Sequence, residues 1–395
     1  MRDSWIKMTL LRPLGLLLVT IMLAACGEAP APVDSASTQP TQTSQAVAQP
    51  AEPADFSGLM AGWNAIAPGG DTICSDGSEF RFYVKQGDPH KLMFYLEGGG
   101  ACWEGGNCDP DIQPSYQVNL SNTDPSRAHG ILAFDQVTNP VADFTMVYVP
   151  YCSADVHLGD SEQHYQMPAF DDHAAHDLHI RHSGWANAKA ALDWTYGHLF
   201  DPQTVFVTGS SAGSIPSPFY AVKLAEQYPN ADVVQLGDAS GGYRGFANFN
   251  PYDVWNLDDV VSDLSFIETV PADTFSFHHL YLGAAQANPT IRFASYDNAE
   301  DETQKQFLAL GGTPTESLQP LLSENLMEIS EAIPDFRFYV AGGDMHTILL
   351  RPEVYTYVVD GVRFVDWLAG LINNIPVTNV MCEDCSVAPV SPAQR

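Results

Sequence analysis

The chain has 395 residues, 45% of them hydrophobic and 11% aromatic, which fits a globular protein with a large core and excludes an intrinsically disordered one. Its 48 acidic and 17 basic residues give a formal net charge of −31. That excess of carboxylates argues against nucleic acid as a partner, because phosphate binding needs clustered Lys and Arg, and it repels anionic membrane surfaces while favouring solubility.

Arg2, Lys7 and Arg12 precede an apolar run at residues 14–25 that is too short to span a bilayer as a helix. The run ends in Leu23-Ala24-Ala25-Cys26, followed by Gly27, and resembles the lipobox of bacterial lipoproteins. The resemblance implies cleavage before Cys26 and a lipid on its sulfur. Gly27 in place of an Asp points to an exported protein anchored in the outer membrane, facing the periplasm or the cell surface. A plain secretory leader cut at the same small residues is the alternative. Residues 28–54 are rich in Ala, Pro, Ser, Thr and Gln, cannot pack a core, and read as a flexible tether. The expected division is a signal peptide over 1–25, a lipidated tether over 26–54 and one domain over 55–395.

Seven cysteines are an odd count for an oxidising compartment. With Cys26 lipidated, six remain. The expected pairs are Cys102–Cys108 as a local staple, Cys74–Cys152 as a long-range bridge, and Cys382–Cys385 with itself. A zinc site at the lone C-x-x-C would lack two of its four ligands.

From residue 80 onward, apolar strands alternate with helical segments. Strands are expected at residues 91–96 (KLMFYL), 144–150 (FTMVYVP), 204–208 (TVFVT), 232–236 (DVVQL), 290–294 (TIRFA) and 335–341 (DFRFYVA). A helix is expected over 183–200, with Trp185, Ala188, Leu192 and Leu199 at helical spacing. Near-continuous apolar strands joined by helices imply βαβ units and a mostly parallel sheet buried on both faces. Functional residues then belong in the loops after the strands. Residues 245–285, rich in aromatics and Asp, are expected to cap the site.

Gly209-Ser210-Ser211-Ala212-Gly213 matches G-x-S-x-G, directly after the strand TVFVT. A serine on a tight strand-to-helix turn exposes its hydroxyl, and the helix N-terminus favours developing negative charge. Pro216 and Pro218 should delay or kink the following helix. Glu97-Gly98-Gly99-Gly100-Ala101-Cys102 follows KLMFYL. Glycines there let backbone N–H groups approach an oxyanion, so Gly99, Gly100 and Ala212 are assigned to the oxyanion hole. It lacks the Lys and Ser/Thr of a phosphate loop. His346, after the strand ending at Ala341, stands where the base belongs, with His157 and His279 as rivals. Asp297 and Asp301 both follow the preceding strand, Asp238 is a third option for the acid, and spacing alone does not choose.

The blocks LEGGGACW (96–103), YCSADVHLG (151–159), GSSAGS (209–214), DETQ (301–304) and GDMHTI (343–348) resemble the pectin acetylesterase and Notum family, closest to its bacterial branch, across residues 60–355. The resemblance implies an α/β-hydrolase fold, a Ser-Asp-His triad and carboxylester deacylation. The family's acid stands in a D-x-x-Q motif, which selects Asp301 over Asp297. It also supports the bridges through Cys102 and Cys152. The triad is then Ser211, Asp301 and His346, acting by acyl transfer without a cofactor.

His173, His176, His179 and His182 recur every three residues near Asp171, Asp172 and Asp177. On a helix this spacing drifts around the surface, so the segment is expected to be a polar surface stretch without metal. The leading expectation is a monomeric O-acetylesterase acting on a polysaccharide such as pectin. The alternatives are a deacylase of longer acyl esters on a lipid or lipidated protein, a glycan-binding lipoprotein, and a serine peptidase.

Overall fold

Stretches in which nearly every residue is apolar leave no polar face, and such strands are stable only when covered on both sides. The computed structural model of the chain describes residues 52–389, without 263 and 266. Cys26, the leader and most of the tether lie outside the described residues. The strands are β1 (Trp63–Ile66), β2 (Phe82–Lys85), β3 (Asp88–Leu96), β4 (Phe144–Val149), β5 (Ser161–Met167), β6 (His176–His182), β7 (Thr204–Ser210), β8 (Asp232–Asp238), β9 (Arg292–Asn298), β10 (Arg337–Ala341), β11 (Val358–Val359), β12 (Val362–Arg363) and β13 (Val380–Met381). The helices are α1 (Gly105–Cys108), α2 (Gly184–His198), α3 (Ser217–Gln227), α4 (Pro251–Trp255), α5 (Leu257–Val261), α6 (His279–Ala287), α7 (Glu302–Leu310), α8 (Gln319–Ala332) and α9 (Phe364–Ile372).

Nine strands form one sheet in the order β1-β2-β4-β3-β7-β8-β9-β10-β13. Pairing from β4 through β13 is parallel, and β1 and β2 add an antiparallel edge. With helices packed around it, this is an α/β-hydrolase architecture. Successive residues of a strand point to opposite faces. In β3, Leu92, Phe94 and Leu96 enter one buried cluster, while Met93 and Tyr95 enter another. The central strands therefore separate two cores. Among the described residues no helix is long and apolar enough to cross a membrane.

Parallel register puts the C-terminal ends of β3, β7, β8, β9 and β10 along one edge. Leu96 pairs with Gly209, Ser210 with Asp238, Asp238 with Tyr296, and Ala341 with Asn298. All six sequence-expected strands are present. The two read as starting at residues 290 and 335 begin two residues later, at Arg292 and Arg337. Strands β1, β2 and β13 have four or fewer residues each and leave no clear sequence pattern.

The histidine-rich segment differs from its sequence reading. It pairs as the second strand of the antiparallel β5–β6 hairpin, with His164 opposite His179. The period is two, not helical: Leu178, Ile180 and His182 are buried, while Asp177 is exposed. Pro216 stands as the N-cap of α3, which starts at Ser217 after a separate turn over Ser211–Gly213. The two prolines thus delay the helix, as their missing N–H groups require.

Candidate active site

Ser211 follows β7 directly and has φ of +55°, in the left-handed region that a non-glycine residue occupies only when its surroundings hold it there. The flanking glycines explain how. A Cβ on Gly209 would stand 2.2 Å from the Gly213 carbonyl oxygen, and one on Gly213 would stand 2.1 Å from that of Leu96. One on Gly98 would stand 2.8 Å from Ser211 Cβ, so the glycine-rich loop and the elbow touch where any side chain would separate them. Gly100 combines φ of +80° with a Cβ position 2.1 Å from the Ser115 carbonyl oxygen. Gly100 and Ala212 line the pocket beside Ser211; Gly99 lies behind, against Tyr151. Among the described residues, no backbone acceptor takes the N–H of Gly99, Gly100 or Ala212.

His346 lies in the loop after β10. Its Nδ1 is 2.7 Å from Asp301 Oδ2, and its Nε2 is buried without a hydrogen-bond partner among the described residues. A carboxylate on Nδ1 holds the proton there and leaves Nε2 basic. Asp301 is fully buried and caps α7, accepting the Gln304 N–H on Oδ1 at 3.1 Å. Backbone bonds hold the loops after β9 and β10 together: Ala299 N–H to Ala341 O, Glu300 N–H to Gly343 O and Glu302 N–H to Asp344 O.

Asp297 does not touch His346. Its Oδ1 accepts from Gly241 N–H at 2.8 Å and from Gln304 Nε2 at 3.1 Å, and Gln304 Nε2 also donates to Asp301 Oδ2 at 3.1 Å. Burial pushes the Asp297 carboxyl up to about 8. Asp238, the third option, sits at the end of β8. Its carboxylate accepts Ser210 Oγ at 2.6 Å, Leu349 N–H at 3.0 Å and Ile348 N–H at 2.9 Å. One buried carboxylate thus ties the residue before Ser211 to the turn after His346, and burial raises it to about 6.

The rival histidines have other work. His157 is buried, its Nε2 bonded to the Glu97 carbonyl at 2.8 Å, and burial lowers it to about 4. It braces the glycine-rich loop from below. His279 begins α6 with its ring toward Ser276 and against His278. Asp155 receives Ser153 Oγ, His157 N–H and the Gly184 N–H at the start of α2. Gly159 and Gly184 pack so closely on Asp155 that a Cβ on either would fall within 2.4 Å of it. The CSADVHLG block is therefore an internal brace.

All three expected bridges are present: Cys74–Cys152, Cys102–Cys108 and Cys382–Cys385. The last supports the histidine loop, since Gly343 N–H donates to the Cys385 carbonyl at 3.0 Å.

Ser211 opens into an apolar pocket. Trp103, Phe249 and Trp255 form one chain of ring contacts, and Tyr243, Phe246 and Phe277 another, joined through Phe246 and Phe249. Most of these rings come from residues 243–277, so the segment expected to cap the site supplies much of its wall. Trp255 is fixed by its Nε1–H bond to the Cys102 carbonyl. The enclosed space beside Ser211 is small, about 30 Å³, far below the roughly 300–1,000 Å³ of sites for drug-sized ligands. Sequence patterning flagged the aromatic density but not which rings face Ser211. It also missed Gln304 as a bridge between two carboxylates.

A family model described as Pectinacetylesterase matches residues 64–256. A palmitoleoyl-protein carboxylesterase NOTUM of Homo sapiens is 34% identical over 95 residues, covering 23% of this chain and 19% of that protein. Its Xenopus laevis counterpart notum1 is 35% identical over 92 residues, covering 22% and 19%. The chain therefore matches about a fifth of the length of these relatives. A Danio rerio protein named inactive palmitoleoyl-protein carboxylesterase notum1b is 31% identical over 100 residues, covering 24% of this chain and 72% of that protein.

Proposed function

The chain belongs to the pectin acetylesterase and Notum family, and on that premise we propose that it is a serine carboxylesterase that removes acetyl or other short acyl groups, in particular O-acetyl esters of a polysaccharide such as pectin. The observation that carries the reading is the His346–Asp301 pair at 2.7 Å with a buried, unpartnered Nε2, on the same strand-end edge as the strained Ser211.

In this reading His346 Nε2 takes the Ser211 proton as Oγ attacks the ester carbonyl, and Asp301 stabilises the imidazolium that forms. The tetrahedral oxyanion is held by the N–H groups of Gly100 and Ala212, with Gly99 behind them. Collapse expels the alcohol, which takes its proton from His346. Water, activated by the same nitrogen, then releases the acid. The small aromatic pocket supports a short acyl group over a long chain. The longer acyl group in the names of the Notum relatives supports the second reading, a deacylase of longer esters.

Hydrolysis of p-nitrophenyl acetate, butyrate and octanoate by the wild type and Ser211→Ala tests both. The mutant is expected to lose activity by about 10³-fold or more, with the wild type fastest on acetate. Equal activity in the mutant removes the triad, and a maximum at octanoate favours the second reading. An inactive wild type leaves a glycan-binding role, a real option in a family where one relative is named inactive.

The lipobox-like sequence supports export and anchoring in the outer membrane through Cys26. Labelled palmitate should enter the protein in cells and fail to enter Cys26→Ser; equal labelling of both contradicts lipidation.

A further inference from the structure

The His173–His182 stretch gains a different meaning once its true neighbours are known. Two donors come from the turn after Cys108, which sequence spacing could not reveal. His176 Nδ1 faces the Ala174 carbonyl oxygen at 3.1 Å. A carbonyl can only accept, so Nδ1 carries a proton and Nε2 is the nitrogen turned toward the carboxylates. That Nε2 stands 3.1 Å from Asp109 Oδ2. Both atoms are buried and meet as an ion pair, and neither has another hydrogen-bond partner among the described residues. Asp109 itself is 0% exposed. Its other oxygen is occupied by the Asp111 N–H at 3.0 Å. The Asp111 carboxylate completes the cluster, with donor atoms of all three side chains within 4.8 Å of one another.

With a proton on Nε2 the two form an ion pair, and a metal ion bound between them would take that proton's place. A metal ion asks for a different geometry, in which each lone pair points at the ion and the two ligands sit side by side. With metal–nitrogen and metal–oxygen distances of about 2.0–2.2 Å, tetrahedral ligands stand about 3.3–3.6 Å apart, a few tenths of an ångström wider than the spacing present. The surroundings also suit ligation: a carbonyl orients the imidazole through its other nitrogen, and a backbone N–H orients the buried carboxylate.

We propose that Asp109, Asp111 and His176 bind one divalent metal ion of the zinc class, with water in the remaining position. One imidazole with two carboxylates is a donor set for zinc or manganese, with too few oxygens for a dedicated calcium site. Asp109 directly follows Cys108 of the Cys102–Cys108 bridge, and His176 begins β6. On β5, Tyr165 donates its hydroxyl to the Trp103 carbonyl, beside the pocket wall. The ion thus clamps the disulfide loop to the hairpin next to the pocket.

Zn²⁺ is titrated calorimetrically into the purified full chain after chelator treatment, for the wild type, His176→Gln, Asp111→Asn and His179→Gln. His176 and Asp111 are partly or fully exposed, so these variants should fold; circular dichroism and thermal melting check that they do. The wild type should take up one ion per chain and melt at a higher temperature with Zn²⁺ present. Affinity should fall at least about tenfold in His176→Gln and Asp111→Asn and stay unchanged in His179→Gln. Absence of saturable binding overturns the proposal and leaves an ion pair. Binding kept by His176→Gln and lost by His179→Gln overturns it too, moving the ion to the exposed cluster of Glu162, His164 and His179.

Discussion

The two neighbouring carboxylates Asp297 and Asp301 should respond in opposite ways to the same substitution. Asp301 is surrounded by donors on both oxygens: His346 Nδ1 and Gln304 Nε2 on Oδ2, and Gln304 N–H on Oδ1. An Asn there must turn its NH₂ toward one of them. Facing His346, it forces the ring to the other tautomer, with the proton on Nε2, which can no longer accept from Ser211. Facing Gln304, it loses the helix cap, about 1 kcal/mol, and still removes the charge that stabilises the imidazolium. Asp301→Asn should therefore lower kcat by about 10³- to 10⁴-fold, or about 4–5.5 kcal/mol. Both donors to Asp297 meet Oδ1, and among the described residues Oδ2 has none. An Asn keeps both, and with the carboxyl raised to about 8 by burial it copies the protonated form present at neutral pH. Asp297→Asn should keep kcat within about fivefold, about 1 kcal/mol. The assay is p-nitrophenyl acetate turnover at neutral pH with a thermal melt at each pH. A raised folded-state pKa gives stability that is lost as pH rises through it, so Asp297→Asn should also melt higher than the wild type above pH about 8. A severe kcat loss in Asp297→Asn beside a mild one in Asp301→Asn refutes this division of roles.

Asp238→Asn weakens a carboxylate that receives Ser210, Ile348 and Leu349; kcat should fall by about 10²-fold through misplacement of Ser211 and His346, with KM little changed, and an unaltered kcat would show that the link is dispensable. Asp155, Asp238 and Asp297 are all fully buried and raised, to about 7, 6 and 8, each by burial first. Their stabilisation is complete below the ordinary carboxylate range and is lost as pH climbs through those values, so the melting temperature should rise from pH about 9 to about 5. High salt screens the surface repulsion of a −31 chain but not these groups; a rise that vanishes in salt would assign the effect to the surface instead.

Much of this fold could be read from the chain because the central strands, five to nine residues long, carry apolar stretches between turn residues, and parallel strands buried on both faces leave that trace. The short edge strands left none, and the His176–His182 strand was hidden because its histidines recur every three residues while its apolar pair, Leu178 and Ile180, recurs every two. At the site, the positions of Ser211 and His346 follow from strand ends. The acid does not: Asp238, Asp297 and Asp301 all stand at or just past strand ends, all are carboxylates and all are buried. Only the partners separate them, and those partners include the Gly241, Ile348 and Leu349 N–H groups, which carry no mark in a sequence.

The same contrast divides the molecule into a fixed part and a variable part. Ser211 holds a left-handed conformation that costs about 1–2 kcal/mol, and what offsets it is backbone: Gly98, Gly209 and Gly213 packed without room for a Cβ, on strands paired along their length. The proposed oxyanion donors are backbone too. Such parts change only if the sheet changes. The pocket wall, by contrast, is side chain, and most of its rings come from one excursion of the chain, residues 243–277, between β8 and β9. Substitutions there alter the space beside Ser211 without touching a strand. A family that includes both a Pectinacetylesterase model and proteins named for palmitoleoyl esters is what that division permits: one attack geometry set by the sheet, and acyl preference set by which rings the excursion places over it.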